Sequence, residues 1–284
     1  MCFLSKNNGG SIVQTNQELN AKIAQKIEVA PGLIILRIVP DGWTLAEFEA
    51  GQFAVIGLPG ASPRYLYSES EGTVPDPDKM IRRAYSIASS SVNKEFIEFY
   101  ITLVGSGALT PRIFALQQGD PIYLSPKITG MFTMSKVPED KNLVLISTGT
   151  GLAPYMSMLR SALPGDGKRR FSVIHGARHS WELGYRSELI TIERICPNVD
   201  YFTIISRPDS EKIKWGGFTG YVQDIWTRGH LAETWGYDPT PDNTHVFLCG
   251  NPKMIDDVCV ILGRDGFKEH TKKEPGEIHF ERYW

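Results

Sequence analysis

The segment IRRAYSIASS, from Ile81 to Ser90, is the stretch around which the rest of the sequence is interpreted. Alternate side chains of a strand point to opposite faces, and one strand is predicted for Arg83, Ala84, Tyr85 and Ser86. The arginine and the tyrosine therefore share one face, and the alanine and the serine share the other. An arginine pairs with phosphate oxygens, a phenol packs along a flat ring, and a hydroxyl gives one hydrogen bond. The set suits a ligand with a phosphate and a flat polar ring; an ordinary strand with an exposed arginine is the alternative.

The composition is typical of a soluble globular protein of one or two domains. The chain has 284 residues, 42% hydrophobic and 22% charged, and its net charge of -2 produces no strong field toward nucleic acid or membrane. Apolar runs such as Leu33 to Val39 are too short to span a bilayer. Residues 1–20 lack the order of a signal peptide and are predicted to form a flexible tail. No cysteines have CxxC spacing, so we expect no metal site and a reducing, cytoplasmic setting.

Residues 21–137 have the pattern of a small closed β-barrel. Short segments rich in β-branched and aromatic residues alternate with turn formers, and no long helix interrupts them. The segments are Lys22–Val29, Leu33–Ile38, Gln52–Gly57, Ala84–Ala88, Phe96–Leu103 and Pro121–Ser125. Ser62 to Met80 breaks the pattern and is predicted to be a solvated surface loop. Ligand contact is the alternative for its Arg64, Tyr65 and Tyr67.

From residue 138 to 284, apolar strand-like runs alternate with segments of helical spacing. This alternation predicts a parallel sheet covered by helices on both faces, a doubly wound α/β domain. The predicted strands are Lys141–Ser147, Phe171–His175, Tyr201–Ser206 and Thr244–Cys249. The predicted helices are Pro154–Leu163, Leu183–Cys196, Val222–Trp235 and Pro252–Leu262.

The first strand of the second domain runs into a glycine-rich turn that consists of Thr148, Gly149, Thr150 and Gly151. Such a turn lets backbone N–H groups approach a pyrophosphate at the start of a helix. Pro154 fits the first turn of that helix, but it replaces the last glycine of the GxGxxG pattern. The turn therefore departs from the standard dinucleotide fingerprint.

The ends of the next two strands predict where a 2′-phosphate would bind. Arg178 follows the second strand, and Ser206 and Arg207 follow the third. An NAD-binding unit usually has an acid near this position, whereas an arginine accommodates the 2′-phosphate of NADP. Solvated surface charges are the alternative for both arginines.

The fourth strand ends in Cys249, which is followed by Gly250, Asn251 and Met254. Ligands of α/β folds bind at the carboxyl ends of strands, although a small buried residue is the alternative for the cysteine. The sequence closes with Glu281, Arg282, Tyr283 and Trp284, and we expect the two aromatic rings to pack against something flat.

Five motifs now carry a resemblance to a known family. They resemble, in order along the chain, the motifs of the ferredoxin–NADP reductase family, in particular bacterial members that end in Tyr-Trp. The five motifs are RAYS, GALTPR, TGTGLAP, GNPKM and the aromatic end. The resemblance extends from about residue 22 to residue 284. It implies an antiparallel Greek-key β-barrel that binds FAD, followed by a doubly wound α/β domain that binds NADP(H).

The resemblance also implies roles for individual residues. Arg83 would bind the FAD pyrophosphate, Tyr85 would pack on the flavin and Ser86 would lie near flavin N5. The other matches to the FAD site are Ala84, Tyr100, Ile101, Thr102, Ala108, Leu109, Thr110, Thr148 and Trp284. The matches to the NADP site are Thr148, Gly149, Thr150, Gly151, Arg178, Ser206, Arg207, Gly250, Asn251 and Met254.

The catalytic residues implied by the resemblance are Ser86, Cys249, Glu281 and Tyr283. Cys249 would lie near the nicotinamide, and Tyr283 would stack on the flavin and move aside for the nicotinamide. Two features depart from the family pattern. Tyr221 stands where close bacterial relatives have an arginine, and the Ser62–Met80 segment has no counterpart.

The implied function is an FAD enzyme that passes electrons between NADP(H) and a one-electron carrier, ferredoxin or flavodoxin, which it meets transiently as a monomer. Hydride would pass between nicotinamide C4 and flavin N5 over about 3–3.5 Å. Three alternatives stay open: the reductase of a multicomponent oxygenase, an NADH-linked reductase, and a non-catalytic flavoprotein subunit or redox sensor.

Overall fold

The first domain is an antiparallel barrel, as the strand pattern predicted. The computed structural model describes residues 19–163, 165 and 167–282. Six strands pair in the order β4-β3-β6-β1-β2-β5, and a bridge between Ile87 and Phe99 connects the end of β4 to β5 and closes the barrel. The strands are β1 (Ala21–Ala30), β2 (Leu33–Pro40), β3 (Phe53–Pro59), β4 (Met80–Ser86), β5 (Ile97–Thr102) and β6 (Pro121–Thr129), with the helix α1 (Thr110–Ala115) between β5 and β6.

The second domain is a parallel sheet in the order β10-β9-β8-β7-β11-β12. Its strands are β7 (Asn142–Thr148), β8 (Phe171–Ala177), β9 (Val199–Ile205), β10 (Phe218–Thr219), β11 (Thr244–Gly250) and β12 (Ile278–Arg282). Its helices are α2 (Ala153–Ala162), α3 (Arg186–Ile195), α4 (Val222–Thr227), α5 (His230–Trp235) and α6 (Pro252–Arg264).

The central strand β7 shows why this sheet is covered on both faces. Leu143 and Leu145 pack in one core cluster, whereas Val144 and Ile146 pack in another. Because successive side chains of a strand point to opposite faces, a strand that is apolar at every position needs a core on each side. The predicted order of an antiparallel barrel and a doubly wound α/β domain is confirmed.

The boundaries differ from the predictions in a few places. The predicted helix Val222–Trp235 is two helices, because Gly229 between them has a φ of 76°, a left-handed conformation that a continuous helix does not contain. The short helix α1 begins at Thr110, in the turn that the family resemblance matched at Ala108, Leu109 and Thr110. Residues 1–18 of the predicted tail lie outside the described residues, but Asn20 bonds both the N–H and the carbonyl of Leu124 and so belongs to the barrel.

The Ser62–Met80 segment is free of helix and strand up to Lys79, but it is not simply a solvated loop. The side chain of Arg64 is largely buried, and it forms an ion pair with Glu71. The domain limits at 20 and 137 stay predictions. Among the helices described, none is long and apolar enough to cross a membrane.

Candidate active site

Two of the predicted catalytic residues meet where the barrel contacts the parallel sheet. Ser86, the last residue of β4, donates a hydrogen bond from Oγ to Oε2 of Glu281 over 3.3 Å, although the two residues are 195 positions apart. Ser86 is 6% exposed, so this contact is largely shielded from water. We call Ser86 and Glu281 the interdomain pair.

Cys249 joins the interdomain pair through the sheet. It lies in β11 directly beside Glu281 in β12, and its side chain is fully buried. Tyr155 packs in the same core and donates from Oη to the Ile146 carbonyl over 3.0 Å. Burial raises the pKa of Tyr155, and the charges of Cys249 and Glu281 raise it further, so this phenol stays neutral. The structure therefore brings Ser86, Cys249 and Glu281 together.

The exposure of β4 does not alternate, because Arg82, Arg83 and Ala84 are all exposed. Arg83 is exposed and Tyr85 is half-buried, with its ring edge-on to Phe99 at 6.2 Å between centroids. Burial raises the pKa of Tyr85 to about 12, and the nearby charge of Arg83 opposes this shift. A cationic fork and a neutral phenol thus lie close together, beside the buried Ser86.

The turn GALTPR fits the predicted phosphate-binding role through its backbone. Oγ1 of Thr110 bonds both the N–H and the carbonyl of Val104, at 3.0 and 3.2 Å. Within the described part of the chain, the N–H groups of Ala108 and Leu109 donate to no protein acceptor, and Leu109 is buried. Buried N–H groups without a partner are rare, so the turn suits an anionic ligand such as the FAD pyrophosphate.

Tyr100, Ile101 and Thr102, which the resemblance matched to the FAD site, lie in β5. Tyr100 is 3% exposed and its hydroxyl accepts a bond from the Gly184 N–H over 3.1 Å, while Ile101 packs inside the barrel. Strand alternation sends the first side chain under the second domain and the other into the barrel core. Only the side chain of Thr102 is exposed, so Tyr100 and Ile101 can contact a cofactor through backbone atoms alone.

The glycine-rich turn packs backbone against backbone on the end of β11. A Cβ on Gly151 would lie 2.2 Å from the Cys249 carbonyl oxygen, and one on Gly250 would lie 2.4 Å from Thr148 Oγ1. Only glycine fits at either position. Gly149 has a φ of 56° and open space where a Cβ would point, so its backbone is accessible for a ligand. Thr150 lies in the short 3₁₀ helix that connects this turn to α2.

The ends of β8 and β9, which carry the residues predicted to bind a 2′-phosphate, are hydrogen-bonded to each other, and one of the arginine charges is balanced. The N–H of Ser206 bonds the Ala177 carbonyl and the N–H of Arg207 bonds the Arg178 carbonyl, at 3.0 and 2.9 Å. Arg178 forms an ion pair with Glu182 over 2.5 Å. Burial alone would raise the pKa of Glu182, but the bonds and charge of Arg178 lower it. Arg207 is exposed and is the better candidate for a phosphate contact.

Other predicted residues have structural roles. The side chain of Asn251 caps α6 by accepting from the Lys253 N–H over 2.8 Å, and Met254 packs in a core cluster beneath that helix. Met254 therefore stabilises the α6 contact rather than presenting its side chain to a ligand. Tyr221, at the position that departs from the family pattern, is 65% exposed. Tyr283 and Trp284 lie outside the described residues.

Comparisons with known proteins identify the family of this chain. The sequence profile of the oxidoreductase NAD-binding domain matches residues 145–260. The flavodoxin/ferredoxin–NADP reductase of Escherichia coli is 30% identical over 84% of this chain and 88% of its own length. The ferredoxin–NADP reductase of Azotobacter vinelandii is 33% identical over 83% of this chain and 86% of its own length. The chain belongs to the flavodoxin/ferredoxin–NADP reductase family.

A solved structure of this reductase family has the same two-domain fold. The ferredoxin NADP+ reductase of Neisseria gonorrhoeae with bound FAD and NADP matches with a TM-score of 0.76 and 25% identity, over 93% of this chain and 98% of that chain. The predicted family resemblance is thereby confirmed across both domains.

Sequence reasoning missed a buried ionic network that joins the two domains of this reductase-family chain. Glu98 of β5 is fully buried. Its Oε1 accepts from Arg160 Nη1 over 2.6 Å and from Tyr185 Oη over 2.8 Å, and its Oε2 accepts from Arg37 Nε over 2.7 Å. Arg160 also forms an ion pair with Glu188 over 2.6 Å. We call these residues the Glu98 network.

The electrostatics of the Glu98 network depend on all of its members. Burial would raise the pKa of Glu98, but the charge and hydrogen bonds of Arg160 and the bonds from Arg37 and Tyr185 lower it overall. The carboxylate is therefore ionised although it is buried. The sequence signal was an acidic residue inside the otherwise apolar strand IEFYIT, which requires a partner from elsewhere in the fold.

Proposed function

We propose that this chain is an FAD-dependent oxidoreductase that exchanges electrons between NADP(H) and a one-electron carrier, ferredoxin or flavodoxin. The observation that carries the proposal is the interdomain pair. Ser86, on the strand with the RAYS motif, is hydrogen-bonded to Glu281, which lies beside Cys249 at the carboxyl end of a parallel strand. Ligands of such sheets bind at this edge, so a barrel-bound ring and a sheet-bound nucleotide would meet here.

The residues that would hold FAD lie on the barrel. Arg83 provides the cationic fork, the backbone of Ala84 continues the same exposed strand, and Tyr85 provides a neutral ring. The N–H groups of Ala108 and Leu109 provide donors for the pyrophosphate. When bound, FAD accepts electrons in pairs as hydride and releases them singly.

The residues that would hold NADP(H) lie on the second domain. The Thr148–Gly151 turn and Gly250 form a backbone cradle that admits no side chains at Gly151 or Gly250. Ser206 and Arg207 lie at the end of β9 and would receive the 2′-phosphate. Because Arg178 is paired with Glu182, we assign preference for NADPH mainly to Arg207.

The interdomain pair would set the polarity at the reacting end of the site. The Ser86 hydroxyl donates its hydrogen bond to Glu281. The lone pairs of Ser86 Oγ can therefore accept a hydrogen bond from a ring N–H. Cys249 is small, so its side chain adds little bulk at the end of β11, where a flat ring would approach. Tyr283 is proposed, from the family resemblance, to cover the flavin until the nicotinamide displaces it.

We further propose that the protein acts as a monomer in the cytoplasm, the compartment that its cysteine pattern predicted, and meets its carrier transiently. The deciding experiment is stopped-flow reduction of the purified holoprotein with NADPH and with NADH, followed by reoxidation with ferredoxin and flavodoxin. Fast bleaching of the flavin band by NADPH and fast reoxidation by either carrier are expected. A flavin band that neither nucleotide bleaches would instead identify a non-catalytic subunit or sensor.

A further inference from the structure

The Ser62–Met80 segment carries an ionic cluster that the proposed reaction leaves unassigned. Glu71 pairs with Arg112 of α1 over 2.5 Å and with Arg64 over 2.9 Å. The side chains of Arg112 and Glu71 are 3% and 8% exposed. The hydrogen bond from Arg112 is the main cause of a lowered pKa for Glu71, so the carboxylate is charged. We call these three residues the Glu71 cluster.

Arg64 holds the turn between β5 and α1. Its Nη1 donates to the Gly107 carbonyl over 2.9 Å, and its Nη2 donates to the Gly105 carbonyl over 3.0 Å. A Cβ on Gly107 would lie 3.0 Å from the Val104 carbonyl oxygen, so the turn is tightly closed. One guanidinium therefore binds this turn at two points.

Arg112 holds the other end of the same turn. Its Nη1 donates to the Ala108 carbonyl over 2.6 Å and its Nη2 to the Gly60 carbonyl over 2.7 Å. The backbone of the segment adds a bond from the Tyr65 N–H to the Pro111 carbonyl over 2.9 Å. The turn and the start of α1 are thus attached to the Ser62–Met80 segment at Gly105, Gly107 and Pro111, and Arg112 connects them to Gly60.

Glu71 is the residue on which this arrangement depends. Two guanidinium groups with little access to water repel each other, and a carboxylate between them makes their close approach favourable. With the carbonyls of Gly105, Gly107 and Ala108 bound on the side of the Glu71 cluster, the N–H groups of Ala108 and Leu109 are left for a ligand. Ser86 and Glu281 of the interdomain pair lie on β4 and β12, whereas the Glu71 cluster lies on the Ser62–Met80 segment and α1.

We propose that Glu71 is a positioning residue for the FAD pyrophosphate, acting through Arg64 and Arg112 on the Gly105–Thr110 turn. This inference rests on the proposed function. Riboflavin contains the flavin ring but has no phosphate. Loss of Glu71 therefore weakens FAD binding and leaves riboflavin binding nearly unchanged, which a general loss of barrel stability would not do.

The test is to remove the flavin from the wild type and from Glu71→Gln, and to titrate each with FAD and riboflavin while following quenching of flavin fluorescence. Losing a charge-assisted contact predicts about a ten- to hundredfold weaker FAD affinity. Riboflavin affinity should change less than about twofold, by the same conversion. Asp78→Asn, an exposed carboxylate of the same segment, is the matched control and should behave as wild type.

The outcomes separate the two hypotheses. Equal weakening of FAD and riboflavin in Glu71→Gln, or unchanged affinity for both, overturns the positioning role while the proposed function stands. A wild type that binds neither flavin overturns the proposed function as well. If Glu71→Gln does not fold, Arg64→Gln serves instead. This variant frees the carbonyls of Gly105 and Gly107 but keeps the buried pair of Glu71 and Arg112. It too must weaken the binding of FAD selectively.

Discussion

Removing Arg160 is expected to destabilise the fold strongly, because this side chain connects the two domains through a buried carboxylate. In Arg160→Leu, the fully buried Glu98 loses the contact at 2.6 Å and keeps Arg37 and Tyr185. Breaking a buried pair costs about 3–5 kcal/mol, and the remaining partners favour the lower end, about 3 kcal/mol. For a chain of this size, that corresponds to a decrease of about 6–12 °C in Tm.

Urea and thermal unfolding followed by circular dichroism would measure this change in the free energy of unfolding. Arg228→Leu is the matched control, because Arg228 forms an exposed pair with Asp224 over 3.5 Å, and such pairs contribute about 0–1 kcal/mol. Glu98→Gln combined with Arg160→Leu should be more stable than Arg160→Leu alone, since no unpaired charge is then buried. A loss below about 1 kcal/mol for Arg160→Leu would refute the argument that the uncompensated carboxylate dominates.

Three further predictions concern the cofactors and pH. Arg83→Ala should lose about 1.5–3 kcal/mol of FAD binding, measured by equilibrium dialysis; full flavin occupancy at low FAD would contradict the role of this strand. Arg207→Ala should raise KM for NADPH about ten- to a hundredfold and leave KM for NADH unchanged in steady-state assays; equal effects on both would show that the pocket is misplaced. Burial lowers the pKa of His175 to about 3. The pKa of His279 is also lowered to about 3, mainly by burial and further by the charges of His245 and other neighbours. Because the unfolded imidazoles take up protons near pH 6.5, stability should fall between pH 8 and pH 5 by about 2 kcal/mol per histidine. Urea unfolding of the wild type and of His175→Gln at the two pH values would test this. An equal pH dependence of stability in the variant would exclude His175 as a source of the loss.

Much of the fold follows from local patterns. Segments rich in β-branched and aromatic residues between turn formers predicted the barrel strands, and the continuously apolar runs predicted buried parallel strands, because both signals depend only on residues close in sequence. The same reasoning located the glycine-rich turn at the end of β7. It failed at Gly229, because periodicity continues through the segment while a single left-handed residue divides it into two helices.

Contacts between distant residues were decided only by the tertiary structure. Ser86 and Glu281 were each proposed from motifs, but their hydrogen bond across 195 residues depends on how the two domains pack. The burial of Tyr100 beneath Gly184, and the pairing of Arg178 with Glu182, likewise changed what these side chains are able to bind.

Buried charge shows most clearly why the sequence alone was insufficient. Glu71 lies in a segment whose polar composition predicted a solvated loop, and Glu98 lies in an apolar strand, yet both carboxylates are buried between arginines. A buried charge is tolerated only where partners from other elements surround it. Those partners, Arg112 for Glu71 and Arg160 for Glu98, come from helices distant in sequence, so only the packed chain determines the pairing.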